Sequence, residues 1–129
     1  MSDFRAPDSN AFRRALERLE EDLPRGYADL LRHHYAARAH IITATELARA
    51  MNYKNHSAAN LHYGTLAALL KSELRSSTPN SVALELLVEF IDPGERSNTE
   101  ILWVMRPQLA EALEALGWVS GATKGPDQA

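Results

Sequence analysis

IITATELARAMNYKNHSAANLHYGTLAALLKSELR, residues 41–75, contains two helical patterns separated by a short polar break, Tyr53-Lys54-Asn55-His56. Its start signals are explicit. Thr43 and Glu46 have capping-box spacing, and Ile42 and Leu47 stand where a hydrophobic staple would close over them, so the first helix is predicted to start at Thr43. Leu47, Ala50 and Met51 are expected to face inward. Asn52, which tolerates left-handed geometry, should end the helix, with the Tyr53 ring packing to anchor the turn. The second helix should open near Ser57. With Ala59 at the centre of its buried face, Tyr63, Leu66, Leu70 and Leu74 fall beside it, flanked by His62, Ala67 and Leu69. Ser57, Leu61, Gly64, Ala68, Ser72 and Arg75 then point outward, with Asn60, Thr65 and Lys71 at the margins. This is the pattern of a helix-turn-helix.

Upstream, Phe12, Ala15, Leu16, Leu19 and Leu23 recur at helical spacing after a cap at Asp8 or Ser9. Pro24 suits the first turn of a further helix, whose apolar stripe is Tyr27, Leu30, Leu31, His34 and Tyr35. Downstream, Val82 to Ile91 alternates apolar and polar residues like a half-buried strand, Asp92-Pro93-Gly94 is a turn signal extended by Glu95 to Thr99, and Ile101 to Met105 reads as a second strand. Pro107 and Gly117 bracket a last helix with Leu109, Ala112, Leu113 and Leu116 inward, and Trp118 and Val119 are expected to pack back on the core. The predicted class is α+β, mainly helical: a winged-helix-like helix-turn-helix with a two-stranded hairpin and extra N- and C-terminal helices. Its expected organisation is a flexible end (1–8), a single domain (9–119) and a flexible tail (120–129).

Charge narrows the function. The net charge of -3 is unevenly distributed: residues 1–23 sum to -2, residues 24–75 to +4 and residues 76–129 to -5. The helix-turn-helix and the helix before it therefore form the basic segment, where contact with phosphate is to be sought. The chain has no cysteine, which excludes disulfides, thiolate nucleophiles and Cys-based zinc sites. No stretch approaches the roughly 20 apolar residues of a membrane span, and MSDFRAPDSN lacks the basic flank and apolar run of a signal peptide, so the expected location is cytoplasmic.

No nucleophile-base-acid arrangement and no Gly-rich phosphate loop is recognisable, so the chain is not expected to be an enzyme or to hold a cofactor. The histidines offer no ligand framework. His56 and His62 stand about 240° apart around one helix, and Asp29 and His33, four apart, lack a third partner in register. Double-stranded DNA is the expected partner. The first turns of the second helix of a helix-turn-helix reach base edges, and Lys54, Asn55, His56, Ser57, Asn60 and Leu61 are suitable there, with Arg49, Lys54 and Lys71 as phosphate contacts. Glu85, Glu89, Asp92, Glu95 and Glu100 make the hairpin acidic, which opposes its use on a duplex. The alternative is a protein-protein interface, with a second copy or a nucleic-acid enzyme, through Leu61, Gly64 and Ala68 and the acidic hairpin. A glycine on an outward helix face permits close approach.

The stretch Leu30 to Leu70, with HY followed by IT-x-x-ELA, the Tyr-Lys-Asn turn and AANLHYGTL, resembles a small bacterial helix-turn-helix-like module that occurs alone or ahead of HNH-type nuclease domains. The resemblance covers about a third of the chain and implies a setting in DNA metabolism or defence. It departs from the pattern at Ala36-Ala37-Arg38, where a proline would be expected. No HNH-like His-rich motif follows, so nuclease activity is not implied.

Overall fold

Asp8 accepts the Ala11 amide and starts α1 (Ser9–Leu19), which buries Phe12, Ala15, Leu16 and Leu19. The structure is a computed structural model and describes residues 7–76, 78–94 and 100–119. The expected loose ends lie outside these residues, apart from Pro7 and Asp8. α1 stops at Leu19, short of the expected Leu23, although Leu23 still packs on the core. Pro24 does not open the next helix. Its carbonyl accepts the Tyr27 amide, and Gly26, at φ 89°, precedes α2 (Tyr27–Ala36) in a left-handed conformation that suits glycine.

Both bonds of the capping box form: Thr43 Oγ1 accepts the Glu46 amide at 3.1 Å, and the Thr43 amide donates to Glu46 Oε1 at 3.0 Å. They start α3 (Ala44–Met51), which buries Ala44, Leu47 and Ala48. That stripe follows the i, i+3, i+4 spacing and turns Ala50 outward, against the expectation that it faced in. Asn52, at φ 61°, closes α3, and the Asn55 side chain accepts the Ala58 amide to start α4 (His56–Leu74), one residue before the expected start. α4 buries Ala59, Tyr63, Leu66, Ala67 and Leu70, the expected face.

Two corrections concern the strands. The pair Ile41–Ile42 is itself a strand, β1, too short to show a period in the sequence. Val82 to Leu86, read as the first half of a strand, instead belong to a 3₁₀ segment, Asn80–Leu86, packed on α4. Ala83 and Leu86, three apart, are its buried residues, whereas Val82 is exposed. Such spacing fits three residues per turn, and a short apolar run does not distinguish helix from strand. Within the hairpin, the strands are β2 (Val88–Ile91) and β3 (Leu102–Met105). The sheet is thus three-stranded and antiparallel, in the order β1-β3-β2, with Trp103 opposite both Ile42 and Phe90. The expected loop extension at residues 95–99 lies outside the described residues. α5 (Pro107–Leu116) begins at its proline and ends at Gly117, φ 74°. The described residues are mainly helical, with five α-helices and this one small sheet. None of the helices is long and apolar enough to cross a membrane.

At the centre lies His34, with 0% exposure. Its Nε2 faces two carbonyl oxygens, Trp103 at 2.9 Å and His40 at 3.0 Å, so Nε2 carries the proton and is shared between them. Nδ1 therefore accepts from the Tyr63 hydroxyl at 2.8 Å. One neutral tautomer satisfies all three partners. Desolvation holds the His34 pKa at about 4, below the usual 6.5, against the raising effect of the carbonyls. In the unfolded chain the imidazole gains a proton near pH 6.5, whereas in the folded chain it does not until about pH 4. His34's contribution is therefore complete above pH 6.5 and is lost as pH falls toward 4, on the order of 3 kcal/mol in all. Denaturant unfolding at pH 7 and pH 4.5 should show an acid loss of that order in the native chain. The loss should be smaller in His34→Gln, which cannot titrate, and an equal loss in both would exclude His34 as its source.

Candidate functional site

The turn between α3 and α4 is built by local bonding that leaves its cations free. The Tyr53 amide returns to the Ala48 carbonyl, and the Tyr53 ring, partly buried, packs at 4.9 Å from the His62 ring. With its backbone held this way, the turn exposes Lys54, Asn55, His56 and Ser57, while Arg49 is exposed on α3. The first amides of α4 point the same way, giving this end the positive character of a helix N-terminus. Among the described residues no carboxylate forms an ion pair with Arg49 or Lys54.

The expected readout residues are not equally available. Asn55 uses its Oδ1 as the helix cap. Asn60 donates one Nδ2 hydrogen to the His56 carbonyl at 3.3 Å, which leaves its second Nδ2 hydrogen and its Oδ1 free. Bidentate pairing of Asn55 with adenine would compete with its capping bond. His56 and Ser57 are exposed, and Leu61 is 65% exposed. Lys71 lies fifteen residues along α4 from His56, roughly 22 Å at 1.5 Å per residue, and does not join this cluster. It lies near a polar depression lined by Arg14, Arg18, Ser72 and Arg75, in which Arg18 is already held by Glu73 at 2.8 Å.

His34, His40 and His62 hold structural positions, whereas His33 and His56 are exposed. His62 lies 3.3 Å from the Tyr27 hydroxyl, His40 donates Nδ1–H to the Tyr35 carbonyl, and Asp29 pairs with Arg32 rather than with His33. Among the described residues no group of three or more His, Asp or Glu is arranged to hold a metal.

Sequence reasoning missed a groove of ≈ 560 Å³ between the helical pair and the hairpin, lined by Ala44, Asn60, Phe90, Glu100, Ile101 and Trp103. Phe90 (43% exposed) and Ile101 (42%) lie beside largely buried Trp103. Their apolar type was legible in the sequence, but Phe90 and Ile101 share a face with Trp103, and how far the helices cover that face is a tertiary property.

No family model matches the chain, and neither a curated protein nor a solved structure matches it.

On the outward face of α4, Gly64 has open space around it: a Cβ built there meets nothing within 4 Å. No part of the described chain requires the glycine, and its backbone is not in the left-handed region. Gly64→Ala should therefore stabilise the fold by about 1 kcal/mol in denaturant unfolding, the ordinary helix-interior difference. A loss of stability instead would mean that this face is covered in the free protein.

Proposed function

We propose that the chain is a winged-helix-like DNA-binding module that acts by binding, without catalysis of its own. The chain order supports this reading. In winged-helix domains a strand follows the first helix of the three-helix set and pairs with the second strand of the hairpin, and α2, β1, α3, α4, β2 and β3 follow that order with the sheet β1-β3-β2. The observation that carries the proposal is the exposed start of α4, free of acids and flanked by Arg49 and Lys54. The second helix of such a pair enters the major groove by its N-terminal residues. The sequence resemblance to a module set beside nucleases points in the same direction.

The binding mode follows from the site. Asn55 is engaged as the helix cap, which leaves His56, Ser57, Asn60 and Leu61 for base edges. Phosphate contact by Arg49 and Lys54 then supplies most of the affinity, with modest sequence preference. Glu89, Asp92 and Glu100 keep the hairpin away from the duplex. In fluorescence anisotropy with a mixed-sequence duplex, log K should fall against log salt with a slope of about -2, for two phosphates neutralised. Lys54→Glu or Arg49→Glu should weaken binding severalfold and flatten the slope. If no binding is detected at low salt, the proposal fails.

The 65% exposure of Leu61 favours a second reading, in which Leu61, Gly64 and Ala68 meet a second copy of the chain. Sedimentation should then show mass rising with concentration, abolished by Leu61→Lys. As Leu61 is largely solvated, this variant should keep its stability within about 0.5 kcal/mol.

A further inference from the structure

The groove between the helical pair and the hairpin has a chemistry opposite to that of the α4 start. Its floor is apolar: Phe90, Ile101, the edge of Trp103 and Ala44. Trp103 is anchored by packing at 5.5 Å from Tyr63, so the floor is rigid where it meets the core. Phe90 belongs to the inner face of the hairpin, opposite Trp103 in register, yet its ring is 43% exposed because the helices do not reach it. The charged group lining it is an acid: Glu100 contributes a carboxylate, alongside the neutral amide of Asn60, which donates one Nδ2 hydrogen to the His56 carbonyl and keeps the other. Glu89 and Asp92 lie on the same hairpin, whose described residues 88–94 and 100–105 include no Lys or Arg. Among the described residues Glu89 and Glu100 have no cationic partner.

An apolar floor bordered by a carboxylate disfavours phosphate and suits a ligand that brings both apolar side chains and positive donors. We infer that this groove docks a segment of a partner protein carrying apolar anchors interspersed with Lys or Arg. The anchors would pack on Phe90 and Ile101, and the cation would pair with Glu100, where partial burial strengthens an ion pair relative to open solvent. The site is separate from the α4 start, so it does not depend on the DNA-binding proposal.

The probe is a short labelled amphipathic Leu/Lys peptide, compared with its Leu/Glu counterpart and with oligolysine by anisotropy at 0.15 M salt, using the full chain. The Leu/Lys peptide should bind and the other two should not. Phe90→Ser and Glu100→Lys should each weaken binding about tenfold. Both positions are partly exposed, and unchanged circular dichroism would establish that the variants fold. Lys54→Glu should leave peptide binding unimpaired, and Phe90→Ser should leave any duplex binding unchanged, so failure of one proposal is distinguishable from failure of the other. Peptide affinity that is indifferent to both groove variants, or equal binding of the Leu/Glu peptide, would overturn the inference. So would self-association of the free chain that disappears in Phe90→Ser, since that would assign the groove to a second copy.

Discussion

The buried imidazole of His34 joins parts of the chain that nothing else joins in one place. It stands on α2, accepts from Tyr63 on α4, and shares its own proton between the carbonyls of Trp103 on β3 and His40 just before β1. A buried polar group without partners would cost a few kcal/mol. Here the Tyr63 hydroxyl is itself fully buried, so the imidazole and the phenol satisfy one another. Among the described residues no buried side-chain nitrogen or oxygen lacks a hydrogen bond. A network that is satisfied in only one geometry specifies the relation of helix pair to sheet more sharply than apolar packing does.

The same network holds a strained connection. Ala39 (φ 56°) and His40 (φ 60°) are consecutive non-glycine residues in the left-handed region, each unfavourable by roughly 1 kcal/mol or more. Two bonds retain them: His34 Nε2–H to the His40 carbonyl, and His40 Nδ1–H to the Tyr35 carbonyl at 2.7 Å, with the His40 ring tilted against Tyr35. Tyr35 in turn donates to Glu114 on α5, and burial together with that carboxylate pushes its phenol up to about 12. The turn thus delivers Ile41 and Ile42 in register with Val104 and Trp103, and the capping box at Thr43 follows immediately. Sheet and helical pair are set within a few residues of each other.

What could be read from the residues divides along this line. Features whose cause is local were legible: the capping box, the left-handed Asn52, the inward face of α4, and the bracketing of α5 by Pro107 and Gly117. Features decided by distant partners were not. His34 read as one more residue on an apolar stripe, since its meaning depends on Trp103, sixty-nine positions away. β1 is two residues long and exists because β3 pairs with it. The run from Val82 carried a strand's alternation, but α4 covers Ala83 and Leu86 and selects the 3₁₀ form. At the candidate site the residue types were legible and their commitments were not, because the capping of α4 by Asn55 and the back-bonding of Asn60 are properties of the formed helix.

The two ends of the exposed surface cannot serve one ligand equally. Around the start of α4 the free groups are donors and cations, Arg49, Lys54 and the first helical amides. Across the groove they are apolar carbons and acceptors, with Glu100 beside the one α4 side chain, Asn60, that borders both regions. A phosphate chain moved from the first region toward the second would lose its partners and meet a carboxylate, whereas a cationic apolar segment moved the other way would meet like charge. The two proposed partners, of opposite charge, would therefore occupy adjoining faces of one small domain, each excluded from the other's site by electrostatics rather than by shape.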